Sequence, residues 1–463
     1  MLQRLLRYAR QLKVQIDPWL DPQRLPEWGR TLLSTAALGI LVGLAAVLLH
    51  RAIDVMFRSL LLSALSTDKD LGSLPNHAWL ILLVPTLGGL AAGWLVAHTE
   101  PEAAGGGTDL VVERFHQDRL DLGLLGLPVK IVAAALAIGS GITGGGEGPA
   151  SYLGAGLGGR FGRFFGLSAA EQRRLYTAGM AAGVAAIFRS PLGGALFACE
   201  CYYSDPDLEA DALLTAVLAA VASYTVFGAF EGFDPLLALG SASLPPSFAA
   251  FGLLSLMGLL AAGLARALVG SVHSFKRTLQ PVPLAYRPAL GGLLIGFTVW
   301  VALLVEGQAH LSPDRPGLSL AALSEGYPFL KLATGALLPA LPALLMLLVL
   351  RFITTGLALS SASPVGAFAP VMVLGALLGM AFGALAKVAG LAWATPDTLA
   401  LCAMAGLFSA AFRSPLAAMV MILEVGQGYH LLPALMWSSA LGYLLGPKHG
   451  LIETQRPHRS AAT

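Results

Sequence analysis

Gly144-Gly145-Gly146-Glu147-Gly148-Pro149 sets one carboxylate between glycines and a proline, at the end of a run from Ile131 to Gly146 that holds no charge. An ionisable side chain at membrane depth is costly, and by default it marks a transport path or a proton relay. Glycine on both sides lets backbone N–H groups approach a small ligand, and Pro149 suits the first turn of a helix, where its missing N–H is no loss. The stretch therefore predicts a broken helix whose second half begins at a carboxylate.

Outward from this stretch, the chain has 463 residues, 56% of them hydrophobic and 12% charged, with 54 glycines. A soluble domain carries about 25% charged residues, so a single polytopic membrane domain over 1–463 is expected. The net charge of +2 gives no reason to expect nucleic acid. Cys199 and Cys201 are spaced C-x-C, but no nearby pair of ligands completes a tetrahedral metal site, so these thiols and Cys402 read as ordinary buried cysteines. No metal and no cofactor is implied. The first apolar run begins at Thr31 and is too long for a signal peptide, so no cleaved targeting segment is expected.

Residues 1–30 read as a basic amphipathic helix, with Arg4, Arg7, Arg10, Lys13, Arg24 and Arg30. The tail from Lys448 adds Arg456 and Arg459. The positive-inside bias then puts both ends in the cytoplasm and makes the number of crossings even. Runs of spanning length are expected at Thr31–His50, Ala78–Ala97, Leu122–Gly146, Ala212–Phe230, Pro235–Ala265, Pro288–Val305, Leu332–Leu350, Thr398–Phe412 and Val425–Pro447. Phe352–Ala386 is uncharged and too long for one untilted crossing. Many runs contain Gly or Pro, which predicts an all-α protein with tilted and broken helices.

An internal repeat sharpens this picture. Phe188-Arg189-Ser190-Pro191-Leu192 recurs as Phe412-Arg413-Ser414-Pro415-Leu416, and each copy is followed by a glutamate, Glu200 and Glu424. Gly145 to Pro149 has a counterpart in Gly366-Ala367-Phe368-Ala369-Pro370. The chain thus reads as two related halves, about 31–230 and 250–450. Ser190 and Ser414 are expected to cap helix N-termini, with proline in the first turn. Paired breaks in corresponding positions of two halves point to a binding site near the midplane. Two helix N-termini there would favour a small anion.

At these residues the chain resembles the CLC family of chloride channels and anion/proton antiporters. Gly145 to Pro149 is similar to the family's G-(K/R)-E-G-P motif and Gly366 to Pro370 to its G-x-F-x-P motif. Pro101-Glu102-Ala103, Leu127-Pro128-Val129-Lys130 and Ser360 to Pro364 support the match. The resemblance implies a homodimer in the cell inner membrane, each subunit having an anion path between two inverted-topology repeats, with membrane lipid, protons and chloride or a similar anion as partners. It implies that Glu147 is the gating glutamate. Gly146, Gly148, Ala367 and Phe368 would lie along the anion path, and Lys130 would add positive potential beside it.

Four departures accompany the match. Gly106, with Gly107 beside it, stands where the family has a serine that reaches the central anion. Leu451 or Ile452 stands where it has a tyrosine. Gly146 replaces a basic residue. Cys201 replaces the glutamate that relays protons internally, leaving Glu113, Glu200 and Cys201 itself as candidates for a proton route. The central site is therefore expected to hold its anion weakly. The resemblance implies a transporter rather than an enzyme, coupled antiport being preferred and a passive channel of the same fold being the alternative. A distant alternative from another class is a nucleotide-binding membrane enzyme, because Gly139 to Gly144 formally fits G-x-G-x-x-G; it lacks the expected preceding strand.

Overall fold

The computed structural model describes residues 27–65, 78–123, 125–237, 244, 247–309, 317–332, 338–391 and 393–459. Most of the basic 1–30 segment lies outside the described residues. Regular structure among the described residues is helical, relieved only by two isolated bridges. Among the described residues, seven helices are long and apolar enough to cross a membrane, and three shorter apolar helices accompany them. The chain is accordingly a multi-pass membrane protein.

The first half contains α1 (Glu27–Phe57), α2 (Leu80–Thr99), α3 (Thr108–His116), α4 (Gly126–Gly139), α5 (Glu147–Phe164), α6 (Ala169–Phe188), α7 (Pro191–Glu200) and α8 (Ala210–Glu231). The second contains α9 (Phe248–Leu279), α10 (Arg287–Ala309), α11 (Tyr327–Leu332), α12 (Leu341–Ser360), α13 (Phe368–Val388), α14 (Pro396–Phe412), α15 (Pro415–Gly426) and α16 (Leu432–Leu445). Several expected spans are redrawn. The Leu122–Gly146 run is helical only over Gly126–Gly139. The Phe352–Ala386 run is broken between α12 and α13, and the Val425–Pro447 run is divided between α15 and α16. The span expected over Pro235–Ala265 starts at Phe248 and continues to Leu279. Apolar composition marks membrane depth, whereas glycine and serine at the breaks decide where helical hydrogen bonding stops.

Close helix packing repeats between the halves. A Cβ at Gly154 would meet the Gly179 carbonyl oxygen at 2.0 Å and one at Gly158 would meet that of Leu175 at 2.2 Å, so α5 and α6 touch through their backbones. Gly379 against the Leu399 oxygen at 2.1 Å, with Gly375 and Gly383 one turn to either side, makes the equivalent contact between α13 and α14. Small residues every fourth position are the means by which membrane helices approach closely enough to gain from dispersion.

The caps expected from Ser190 and Ser414 are not formed, since neither side chain accepts a hydrogen bond from its helix. Each half's glutamate caps the other half instead. The Glu424 carboxylate accepts from Leu192 N–H at 3.2 Å, Gly193 N–H at 2.9 Å and Ser190 Oγ at 2.5 Å. The Glu200 carboxylate accepts from Leu416 N–H at 3.0 Å and Ala417 N–H at 2.8 Å. A carboxylate satisfies two free donors at once and complements the positive helix end, which a serine hydroxyl does less well. This reciprocal clamp explains why the repeat consists of Ser-Pro and a glutamate eight to ten residues on.

The two helix breaks as a candidate anion site

Both breaks arise where a helix ends in small residues and the next begins at a motif residue. α4 stops at Gly139 and α5 starts at Glu147; α12 stops at Ser360 and α13 starts at Phe368. Gly141 lies at φ +107°, a conformation that suits glycine. The breaks pair antiparallel: Gly145 N–H donates to Gly366 O at 3.1 Å and Gly366 N–H to Gly145 O at 2.7 Å. This pair of bonds brings the starts of α5 and α13 together. Free first-turn N–H groups of both helices converge there.

Glu147 lies over that junction. Its side chain is fully buried, and Oε1 accepts the Tyr327 hydroxyl at 3.1 Å. Oε2 is buried with no hydrogen-bond partner. A Cβ at Gly145 would fall 1.9 Å from Oε2 and one at Gly366 would fall 3.3 Å from it, so two glycines make room for the carboxylate. The group therefore occupies the space between the two opposed helix N-termini.

On one side of the junction a cavity of about 270 Å³ is lined by Gly105, Gly106, Ala367, Phe368, Leu451 and Ile452, with Asp109, Lys276, Arg287 and Glu453 at its charged part. The predicted positions Gly106, Ala367, Phe368, Leu451 and Ile452 thus do share one space. Gly148 adjoins it, since its Cβ would lie 2.8 Å from the Gly106 oxygen. Gly107, at φ +95°, starts α3 beside Lys130 rather than lining the cavity. Gly146 faces the opposite direction, toward Ile53, Leu49 and Glu325.

Neither Leu451 nor Ile452 has a hydroxyl to offer, and Leu451 N–H is taken by Ala411 O at 2.7 Å. The tail's nearest hydroxyl, Thr454 Oγ1, donates to Asp109 O at 2.8 Å. A Cβ at Gly106 would approach the Val365 oxygen to 3.0 Å, which gives glycine a packing reason at this position. Phe368 lies beneath the site in a cluster with Phe188, Phe197, Phe408 and Phe412, at ring separations of 4.6 to 5.9 Å. The phenylalanines of both FRSPL copies belong to this cluster.

Lys130 is fully buried and donates to the carbonyls of Ala103, at 3.0 Å, and Gly105. Its ammonium also lies 5.3 Å from the centre of the Tyr152 ring. The lysine thereby ties the Ala103–Gly105 stretch behind the cavity wall. The candidate proton groups are dispersed. Glu113 is exposed and bonded to Gln117 at 2.8 Å, Glu200 caps α15 with both oxygens, and the buried Cys201 thiol faces Met180 Sδ at 3.9 Å.

Sequence reasoning missed the segment on the other side of Glu147. Residues 317–327 cross the first break as a strap: Gly144 N–H donates to Ser324 O at 3.2 Å, Ser324 N–H to Gly141 O at 3.2 Å, Thr143 Oγ1 to Ala322 O at 2.8 Å and Ser324 Oγ to Ile138 O at 3.1 Å. Buried Glu306 holds one end through Leu318 N–H and Ser319 N–H at 2.8 and 2.9 Å. Buried Arg351 binds the carbonyls of Ala321, Ala322, Leu323 and Glu325. Tyr327, the last residue of this strap and the first of α11, reaches Glu147. Glu325, the only charge between Leu318 and Leu330, was the available signal.

Comparison with known proteins agrees with this architecture. The H(+)/Cl(-) exchange transporter ClcA of Vibrio cholerae is 29% identical over 449 residues, covering 93% of this chain and 89% of the relative. ClcA of Yersinia pestis is 28% identical over 407 residues, covering 87% and 81%. Among solved structures, a CLC-type fluoride/proton antiporter superposes with TM-score 0.76 at 21% identity, covering 94% of this chain and 99% of that one. A slow cyanobacterial Cl−/H+ antiporter gives TM-score 0.75 at 20% identity, covering 90% and 94%. These structures share the fold. Gly139 to Gly144 runs from the last residue of α4 into the break, so a helix stands where a dinucleotide loop has its strand. The profile of the family described as voltage gated chloride channel matches residues 88–446, which include both breaks, the strap and the reciprocal clamp, and the chain belongs to that family.

Proposed function

We propose that the protein exchanges chloride or a similar small anion for protons across the cell inner membrane, with Glu147 as the gate. The observation behind this reading is the buried Glu147 carboxylate lying on the antiparallel pair of breaks, where two helix N-termini meet. Each helix end stabilises an anion by roughly 0.3 to 2 kcal/mol, so carboxylate and halide compete on similar terms. Protonation neutralises Glu147, removes its claim on the helix ends and leaves them to the anion. The names of the ClcA relatives support the same pairing of chloride with protons.

In this reading both termini are cytoplasmic, the cavity lined by Gly106 and Ile452 opens inward, and the strap side of Glu147 faces outward. The protein works as a homodimer in lipid, transports rather than transforms its substrate, and needs no cofactor or metal. Backbone N–H groups hold the central anion without serine or tyrosine hydroxyls, so that site is weaker than the one at Glu147. Passive conduction is the second reading, and it has a specific basis in Cys201, a thiol packed against Met180 where a relaying glutamate would be needed. Reconstituted flux separates the two. Under antiport, wild-type vesicles move protons and chloride together, and Glu147→Gln keeps chloride flux while proton flux vanishes. Chloride flux with no accompanying proton movement in the wild type would leave only the passive channel.

A further inference from the structure

We propose that Glu325 is the outward-facing proton-exchange partner of Glu147, receiving protons from solvent and passing them to the gate. The inference rests on the antiport reading and adds to it a residue on the strap. Three observations converge on it. Glu325 is only partly buried, and its Oε1 lies 3.9 Å from the Cβ position at Gly146, the residue immediately before Glu147. Glu325 lies within electrostatic range of Glu147 across this residue, so both carboxylates meet at a single turn of backbone. Glu147 Oε2 is buried without a hydrogen-bond partner, an acceptor left free for a proton.

The rest of the strap is organised around this placement. Arg351 donates to main-chain carbonyls, that of Glu325 included, and so fixes the loop while leaving the carboxylate unclamped. Ser324, at φ +54°, makes a tight turn just before it, which is an uncommon conformation for a residue with a side chain. Tyr327, two residues on, holds the other oxygen of Glu147. The charged and titratable groups facing Glu325 are Glu147 on α5, His50 and Asp54 on α1, Arg351 on α12 and Tyr327 on the strap. His50 and Asp54 sit near the end of α1. Beyond them His50 Nε2 lies 4.0 Å from Glu231 and Arg51 Nε pairs with Glu231 at 2.8 Å, giving a polar exit toward solvent.

The transfer is simple. A hydronium ion gives its proton to Glu325, and the O–H bond on Glu325 then breaks as one forms on Glu147 Oε2, directly or through one water. Glu325 is left anionic and Glu147 neutral.

The test uses the full chain in proteoliposomes, with proton and chloride fluxes read together. E325Q is expected to lower proton flux about 10-fold or more, in keeping with the 10²–10⁴-fold contributions of positioned proton-transfer groups, while chloride flux changes little. E325D, which keeps a carboxylate, restores most of the proton flux, an outcome that a merely structural role would not produce. E325A replaces E325Q where the latter fails to reconstitute as judged by chloride flux. Wild-type coupling with unchanged proton flux in E325Q or E325A overturns this assignment alone, as does a parallel fall or rise of both fluxes. Absence of proton flux in the wild type overturns the antiport reading and this one with it.

Discussion

Tyr327→Phe removes a single oxygen from the site and makes a quantitative test of Glu147 as an anion competitor. The Tyr327 hydroxyl donates to Glu147 Oε1 at 3.1 Å, and both groups are buried. A hydrogen bond to a charged group contributes about 1.5–3 kcal/mol, and every 1.4 kcal/mol is a factor of ten. Loss of the hydroxyl therefore weakens the inward-folded state of Glu147 by about 10- to 100-fold relative to the displaced state. An anion can occupy the junction only when the carboxylate has left, so its apparent affinity rises by up to that factor. Phenylalanine keeps the packing of the ring and leaves no donor unsatisfied. Calorimetric titration of chloride or bromide into detergent-solubilised protein reads the shift. In a Glu147→Ala background the same substitution should change nothing, because the pair no longer exists. Unchanged affinity in the single variant, or an equal change in both backgrounds, would refute the competition.

The reciprocal clamp predicts that Glu200→Ala and Glu424→Ala each leave two first-turn N–H donors of the other half unpaired, of which those of Gly193 and Ala417 belong to buried residues, and lower stability by about 1–3 kcal/mol per buried orphaned donor, read as a fall in melting temperature in detergent. A melting temperature within one degree of wild type would show the clamp to be dispensable. Gly154→Ala and Gly379→Ala place a Cβ 2.0–2.1 Å from backbone oxygens and should each destabilise by about 1–3 kcal/mol through forced helix separation, with similar effects because the contacts are repeats of one another. Gly106→Ser puts a hydroxyl beside the cavity with only a small displacement of the Val365 carbonyl, 3.0 Å from the new Cβ. It should strengthen anion occupancy on the cavity side, seen as increased anomalous density in bromide-soaked crystals. The Asp207 carboxylate, which lies outside the spans, is held below its usual range chiefly by the Arg459 N–H and then by that of Leu208. A lowered folded value means stabilisation above the ordinary carboxylate range that is lost as pH falls through the lowered one. Amide exchange near Arg459 should consequently accelerate only in acid.

Much of the path was legible because its signals are local. A carboxylate among glycines, and a matching glycine-phenylalanine break one repeat later, mark helix ends that no packing argument requires. The structure joins those two places through Gly145 and Gly366. The absence of hydroxyls at Gly106, Leu451 and Ile452 was equally legible, since a side chain's donors follow from its identity once it is placed in the cavity. The Ser-Pro copies misled because a serine before a proline is a good cap in isolation. Here a glutamate from the other half, more than two hundred residues away, supplies a stronger one. Tyr327 and Arg351 were missed for a related reason. Their roles depend on a strap of carbonyls and turns folding back across the first break, and no periodicity records such a crossing. Only Glu325 carried a signal, as a lone charge in an apolar stretch.

The central claim is that the anion and the Glu147 carboxylate compete for one pair of helix N-termini, and that protonation of the carboxylate couples the two fluxes. It is tested most directly by loading proteoliposomes with high chloride, holding the membrane potential near zero with potassium and valinomycin, and recording the external pH with no initial proton gradient. Antiport through Glu147 predicts that outward chloride flow draws protons inward, so that the bath becomes alkaline until an opposing proton gradient stops it. Chloride efflux with a steady external pH would contradict the account.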